Sequence, residues 1–245
     1  MNTKRIIPCL DIKDGKVVKG IHFKDILPIG NPVELARQYN EAGADELVLL
    51  DITASTDQHQ PLFELIQQVA QVLDIPLIVG GGIGSLTRAQ AILQAGATKV
   101  SIGSAAVEQP GLIQQLAKVL GKERIVVAID TKKQGAVNKV CTQGGKHITA
   151  WETLAWAKEM EKQGAGEILL TSVDADGTQE GFALEITDRV SRNLDIPVIA
   201  SGGAGGIEDF IQLFEKTGAD AGLAASIFHY QSVNIPELKN RINAL

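Results

Sequence analysis

The feature that most constrains the fold of this chain is an internal repeat. The segment Asp74-Ile-Pro-Leu-Ile-Val-Gly-Gly-Gly-Ile-Gly-Ser85 returns 121 residues later as Asp195-Ile-Pro-Val-Ile-Ala-Ser-Gly-Gly-Ala-Gly-Gly206, with seven of twelve positions identical. A second segment, Ala42 to Leu50, returns at the same offset as Gln163 to Thr171. The chain is therefore two copies of one half, and any fold must accommodate both.

Each half alternates short apolar runs with segments of helical periodicity. The strand candidates are Arg5 to Asp11, Leu47 to Asp51, Leu77 to Gly81, Val100 to Gly103, Ile125 to Asp130, Ile168 to Ser172, Val198 to Gly202 and Gly222 to Ser226. The helix candidates are Pro32 to Ala42, Leu62 to Leu73, Leu86 to Ala95, Leu112 to Leu120, Trp151 to Lys162 and Ile207 to Lys216. Such an alternation predicts a parallel sheet whose outer face is covered by helices.

Eight strand–helix units in 245 residues predict a single (β/α)8 TIM barrel built from two repeated half-barrels. A four-stranded parallel half would leave its sheet edges unpaired, and closing two halves into one barrel removes those edges. We therefore expect residues 1–245 to form a single domain.

Composition excludes several classes of protein. The formal net charge of −6 argues against nucleic-acid binding, and no apolar run approaches the roughly 20 residues that span a membrane. The two cysteines, Cys9 and Cys141, cannot form a disulfide framework, which favours a cytoplasmic location. The four histidines lack metal-ligand spacing, so we predict no metal and no cofactor.

Two glycine-rich turns predict anion-binding sites. Gly80 to Gly84 and Ser201 to Gly206 each follow a strand and precede a helix, where backbone N–H groups can point at an anion. Glycines are also common in any tight turn, and that structural reading stays open. Pairing each turn with the end of the next strand predicts two phosphate sites and thus a ligand with two phosphates; their residues are Gly82, Gly103 and Ser104 in one and Gly202, Gly203, Ala225 and Ser226 in the other.

Two aspartates occupy equivalent positions at the carboxyl ends of the first and fifth predicted strands. Asp11 and Asp130 would face each other across a barrel, where paired carboxylates can act as general acid and base. The alternative is that each merely caps a loop. Asp51 and Asp176 would add acidity to the same rim, as hydrogen-bond acceptors for a substrate or as ordinary loop residues.

Asp11 and Asp130 are each followed by a connection of twenty residues, Ile12 to Asn31 and Thr131 to Ala150. Loops of this length are usually functional, and the first carries Lys19, whose cation can bind a phosphate.

At the opposite end of the barrel, four charged residues would meet in a ring: Arg5, Glu46, Lys99 and Glu167. In barrels generally, that end contributes to stability.

Nearly the whole chain resembles the cyclase subunits of imidazole glycerol phosphate synthase, from histidine biosynthesis. The most specific segments are Lys4 to Asp11, Leu50 to Ser55, Val79 to Ile83, Val127 to Asp130, Glu167 to Ser172, Asp176 to Thr178 and Ala200 to Gly205. The resemblance implies a lyase that uses ammonia to convert a bis-phosphate ribulosyl intermediate into imidazole glycerol phosphate and an aminoimidazole carboxamide ribotide.

Residue by residue, the resemblance implies that Asp11 and Asp130 are the acid and base, and that Thr171 and Ser201 line the cavity. It places Gly82 and Ser104 on one phosphate, and Gly177, Gly203 and Ser226 on the other. It also implies that the ring of Arg5, Glu46, Lys99 and Glu167 is a gate for ammonia delivered by a separate glutaminase subunit docked on that face.

Two positions depart from the family pattern. Gly103 stands where Asn is usual, which removes a side-chain contact to one phosphate. Thr98 stands where an acidic residue is familiar, which weakens one expected contact with the partner. Two alternative functions stay open: the isomerase of the preceding step, which shares the doubled barrel, and a non-catalytic barrel that binds a phosphorylated ligand.

Overall fold

The computed structural model describes residues 3–21, 24–52 and 60–245. Its strands are β1 (Arg5–Lys13), β2 (Lys16–Ile21), β3 (Lys24–Gly30), β4 (Leu47–Asp51), β5 (Leu77–Gly80), β6 (Lys99–Ile102), β7 (Ile125–Gln134), β8 (Val137–Thr142), β9 (His147–Glu152), β10 (Glu167–Ser172), β11 (Val198–Ser201) and β12 (Ala221–Ala224). Its helices are α1 (Pro32–Glu41), α2 (Gln60–Ala70), α3 (Leu86–Gln94), α4 (Ser104–Glu108), α5 (Leu112–Leu120), α6 (Thr153–Lys162), α7 (Leu184–Ser191), α8 (Ile207–Lys216), α9 (Ser226–His229) and α10 (Ile235–Ile242).

Eight strands close into a parallel barrel, which confirms the predicted (β/α)8 fold. The order around the barrel is β1, β4, β5, β6, β7, β10, β11 and β12, and β12 pairs with β1 to complete the circle. The two halves of the repeat join where β6 pairs with β7 and where β12 pairs with β1. Strands β1 and β7 therefore stand four places apart in either direction and face each other across the axis.

Two antiparallel hairpins extend the barrel at its carboxyl end. The last residues of β1 pair with β2, which pairs with β3, and the last residues of β7 pair with β8, which pairs with β9. These hairpins occupy the two twenty-residue connections. The sequence did not predict them because the added strand residues, such as Lys132 and Lys133, are polar and lack the apolar pattern of a buried strand.

The repeat is visible in the backbone of the two glycine turns. Gly81 and Gly202, which are 121 residues apart, both have a positive φ, of 107° and 90°. A Cβ on Gly81 would lie 2.1 Å from the carbonyl oxygen of Asp51, and one on Gly202 would lie 2.7 Å from that of Ser172. Asp51 and Ser172 are also 121 residues apart, so the same close backbone approach excludes a side chain in both halves.

Apolar side chains cover both faces of the barrel sheet. Because side chains alternate along each strand, neighbouring residues point in turn toward the helices and into the barrel. In β1, Ile6 and Leu10 point outward into the core shared with the helices, whereas Ile7 and Cys9 point into the barrel. The inward series continues from Arg5 at one end to Asp11 at the other. The interior is thus apolar in the middle, with charged side chains at both ends.

Some helices, such as α1, α3 and α10, begin where the sequence provides a capping side chain. The Asn31 side chain accepts hydrogen bonds from the Val33 and Glu34 amides, and Pro32 occupies the first turn of α1. Helix α7 was not among the predicted helices. None of the helices in the described ranges is long and apolar enough to cross a bilayer.

Candidate functional site

Asp11 and Asp130 reach the same cavity from opposite sides of the barrel. Asp130 pairs in register with Thr171 on β10, and Thr171 pairs with Ser201 on β11, so these three residues form one row at the carboxyl edge of the sheet. Asp11 stands on β1 at the same edge, next to Leu50 of β4. The four side chains predicted to line the centre of the mouth are therefore brought together.

This cavity, called the first cavity below, is open at the barrel mouth and comprises about 910 Å³ of empty space, part of it open to solvent. It is lined by ten of the residues proposed from the sequence: Asp11, Asp130, Thr171, Asp176, Gly177, Ser201, Gly202, Gly203, Ala225 and Ser226. The glycine turn and the carboxylates thus share one space.

The environment of Asp130 favours its protonated form. Burial at the end of β7 raises the pKa of its carboxyl group, and the nearby carboxylate of Asp176 raises it further, to about 6. A carboxyl group with that pKa exchanges a proton readily near neutral pH, which suits a general acid or base.

Asp11 has a different neighbour. The thiol of Cys9, two residues earlier on β1, donates to Oδ1 of Asp11 with a sulfur–oxygen distance of 3.7 Å. Cys9 is buried and also lines the first cavity. The two carboxylates therefore lie in different surroundings, one beside a thiol donor and the other beside a second carboxylate.

A second cavity, with about 850 Å³ of empty space that is partly open to solvent, lies over β5 and β6 and is lined by the other predicted phosphate residues, Gly82, Gly103 and Ser104. Leu50 lines both cavities, so they adjoin. The Ser104 hydroxyl accepts a hydrogen bond of 3.1 Å from the Gln143 amide, in the turn between β8 and β9. Its proton stays available for a ligand oxygen, and the second hairpin reaches this site.

Arg88, which the sequence reasoning missed, lies beside the second cavity. It stands in the first turn of α3, and a Cβ on Gly82 would be 3.6 Å from its Nη2. Side chains in a first helical turn point back toward the helix N-terminus, which brings this guanidinium to the glycine turn. The signal in the sequence was an arginine six residues after Gly82, within reach of the turn.

Two other predicted residues are placed less closely. Asp51 ends β4 behind Gly81 and lines neither cavity. The backbone of Lys19 belongs to β2, and its side chain lies outside the described residues.

The four charged residues at the opposite end of the barrel form a closed ring of alternating sign. Arg5 donates to Glu46 and, at 2.6 Å, to Glu167, while Lys99 donates to the same two carboxylates at 3.0 and 2.8 Å. Both glutamates are buried, and the two cations are about one-fifth exposed. Each carboxylate thus binds two cations, and the ring as a whole is neutral.

The carboxylates of the ring stabilise the charged form of the Arg5 guanidinium. Burial lowers the pKa of the Arg5 guanidinium, but the carboxylates of Glu167 and Glu46 outweigh that effect and raise it overall. Opening the ring requires at least one cation to leave two charge-assisted hydrogen bonds. Above the ring lie apolar side chains of the barrel interior, such as Ile7, Val48 and Val126, and above these lies the first cavity.

In the described part of the chain, no three His, Cys, Asp or Glu residues cluster in a way that could hold a metal ion. Other residues missed by the sequence reasoning line the first cavity, among them Cys9, Leu50 and Gln179. Cys9 and Leu50 could have been found by counting two residues back from Asp11 along β1 and one residue back from Asp51 along β4.

The chain is similar to known proteins over nearly its whole length. The model of a family described as "Histidine biosynthesis protein" matches residues 5–234. Several curated relatives carry the name "Imidazole glycerol phosphate synthase subunit HisF". The protein from Cytophaga hutchinsonii is 54% identical over 99% of this chain and 97% of its own length. That from Geobacillus thermodenitrificans is 53% identical over 98% and 96%, and that from Alkaliphilus metalliredigens is 49% identical over 100% and 98%.

Proposed function

The chain belongs to the histidine biosynthesis protein family, and on that premise we propose that it is the cyclase subunit of imidazole glycerol phosphate synthase. It uses ammonia to convert a bis-phosphate ribulosyl aminoimidazole carboxamide intermediate into imidazole glycerol phosphate and an aminoimidazole carboxamide ribotide. This is a lyase reaction that closes an imidazole ring.

One observation carries the proposal: Asp11 and Asp130 stand on facing strands in one cavity, between two glycine turns suited to phosphate. Forming a ring from ammonia and cleaving the intermediate require protons to leave nitrogen and to reach the departing group. Two carboxylates on opposite sides of the bound substrate can perform both transfers.

The surroundings of the two carboxylates suggest how they share the work. Asp130, whose pKa is about 6, holds or releases a proton near neutral pH. Asp11 accepts a hydrogen bond from the Cys9 thiol. We assign both as catalytic residues, with Thr171 and Ser201 between them as hydrogen-bonding groups for the substrate.

Two glycine turns would hold the phosphates at the ends of the substrate. Gly203 and Ser226 serve one phosphate in the first cavity, and Gly82 and Ser104 serve the other in the second cavity. At both positions backbone amides supply the donors, and Arg88 adds a cation beside Gly82. Ordinary tight turns would not require two such sites on either side of the carboxylates.

The relatives are named as subunits, so the chain works with a second subunit. In our proposal that partner is a glutaminase, and it docks where the ring of Arg5, Glu46, Lys99 and Glu167 closes the barrel. Ammonia would pass through the ring and the apolar interior to the carboxylates. An enclosed route keeps ammonia unprotonated and therefore nucleophilic.

The buried thiols of Cys9 and Cys141 support a cytoplasmic location.

The test is a steady-state assay of the purified chain with the bis-phosphate substrate. Turnover with high ammonium, but with glutamine only after the glutaminase is added, is the expected result. No product with either nitrogen source would reject the cyclase. Aldose-to-ketose rearrangement of the preceding intermediate, without ammonia, would identify the isomerase, and tight binding without turnover would identify a non-catalytic barrel.

A further inference from the structure

The inside of the barrel contains one hydroxyl group that the proposed mechanism has not used. Ser101 lies on β6, with its side chain pointing into the barrel like that of Lys99 two residues earlier, whereas Val100 and Ile102 point outward into the helix-side core. Ser101 is 3% exposed, and its Oγ has no hydrogen-bond partner. A buried hydroxyl without a partner costs free energy of folding, because it gives up its bonds to water.

Ser101 is one of the residues that line the second cavity, together with Gly82 and Ser104. Leu50 and Ser101 pack closely against the backbone of Gly80, the neighbour of Ser101 on β5, where a Cβ would lie 3.1 Å from the Cβ of Ser101 and 2.7 Å from the Leu50 side chain. Because Ser101 lines this cavity and the protein offers its hydroxyl no partner, a ligand bound in the cavity can supply the missing bond.

We propose that Ser101 is a substrate-binding residue, whose hydroxyl hydrogen-bonds to the sugar-derived chain of the substrate next to the phosphate held by Gly82 and Ser104. This inference rests on the proposed function, because it takes the bis-phosphate ribulosyl compound as the ligand. Ser101 precedes Ser104 by three residues and lies deeper in the barrel. A group bonded to a phosphate at Ser104, and extending toward the carboxylates past Leu50, passes the Ser101 hydroxyl.

The proposal predicts opposite effects of Ser101→Ala on stability and on binding. Without ligand, the variant loses a hydroxyl that has no partner, so its urea midpoint is expected to equal or exceed that of the wild type. With saturating ammonium, its KM for the bis-phosphate substrate is expected to rise roughly tenfold, the loss of one hydrogen bond, with kcat changed less than threefold. Ser101→Cys keeps a weak donor and is expected to lie between the two.

Thr217→Val is the matched control, since Thr217 is also a buried hydroxyl residue but has its partners: it donates to the Leu213 carbonyl and accepts from the Ala219 amide. This variant is expected to unfold at lower urea concentration and to keep the wild-type KM. The contrast separates a hydroxyl retained for a ligand from one retained for the fold.

Three results would overturn the inference while leaving the cyclase proposal intact, provided that the wild type turns over. They are an unchanged substrate KM in Ser101→Ala, a rise confined to the KM for ammonium, and a lower urea midpoint than the wild type. Absence of turnover in the wild-type chain would instead reject the proposed function itself.

Discussion

At the residue scale, burial of the carboxyl group of Asp130, which we propose to be catalytic, lowers the stability of the protein at neutral pH. Its ordinary pKa is 3.8 and its folded-state pKa is about 6, so the folded chain binds this proton more tightly than the unfolded chain does. The resulting stabilisation is fully present below a pH of about 4 and is lost as the pH rises through about 6. At neutral pH the ionised, partly buried carboxylate therefore costs free energy.

Asp130→Asn is expected to reduce turnover with ammonium by about 10²- to 10⁴-fold, because the amide cannot transfer the proton. The same variant should be more stable than the wild type by about 1–3 kcal/mol at a pH of about 8, with the difference vanishing near a pH of about 4. Urea denaturation of both proteins between a pH of about 4 and about 8 measures this difference in the free energy of unfolding. Asp188→Asn, on the surface of α7, is the control and should show no such gain; a gain for Asp130→Asn that did not depend on pH would contradict the assignment.

Arg88 offers a second test at this scale. Arg88→Ala should raise the KM for the bis-phosphate substrate about 10-fold or more with little change in kcat, because a guanidinium–phosphate contact is charge-assisted. Inorganic phosphate, added as a competing ligand, should inhibit the variant less strongly. Arg37→Ala, at an exposed pair with Glu34 on α1, provides the comparison. Equal KM values in all three proteins would remove Arg88 from the site.

At the scale of elements, the turn between β11 and α8 is fixed by close backbone contact. Gly203 has a φ of 100°, and a Cβ there would lie 2.0 Å from the carbonyl oxygen of Gly181. A side chain at this position therefore pushes against the loop that carries Asp176 and Gly177. In our proposal it would also occupy the place of the phosphate, so the glycine would serve both the fold and the site.

Gly203→Ala is accordingly expected to lower the free energy of unfolding by roughly 2–4 kcal/mol, from a strained φ plus the contact with Gly181. The substrate KM should rise as well, since the displaced loop lines the first cavity. Gly30→Ala serves as the control, because a Cβ there meets only the Leu35 side chain at 3.5 Å. If the two variants had the same urea midpoint, the close approach at Gly203 would be wrong.

At the scale of the whole molecule, charges lie at both ends of an apolar barrel interior. The ring at the amino-terminal end is closed by Arg5 and Lys99. The carboxylates of Asp11 and Asp130, to which we assign the chemistry, lie at the other end. Lys99 alone among the ring residues combines partial exposure with a flexible amine, so it is the simplest group to move aside for a small neutral molecule.

Lys99→Ala is expected to change glutamine-dependent turnover of the complex far more than ammonia-dependent turnover of the isolated chain. It should also reduce stability by roughly 1–3 kcal/mol, since Glu46 and Glu167 each lose one of two cations. Lys158→Ala, at an exposed position of α6, is the control for the loss of a positive charge. Equal losses in the two assays would mean that Lys99 supports the fold rather than the passage of ammonia.

Much of this protein could be predicted from the sequence by itself. Eight apolar strand segments and a 121-residue repeat determine a closed doubled barrel, because both local periodicity and the need to pair sheet edges act through residue type and spacing. The repeat also places Asp11 and Asp130 on facing strands, so the pair of carboxylates and the two glycine turns followed from position along the chain.

Only the tertiary structure decided what each of these residues meets. The hairpins on β1 and β7, the raised pKa of Asp130, the approach of Arg88 to Gly82 and the unpartnered hydroxyl of Ser101 all depend on segments distant in sequence. Spacing along one strand fixes which face a side chain takes. Burial, electric fields and open space are set by the neighbours across the barrel, and those appear only when the barrel closes.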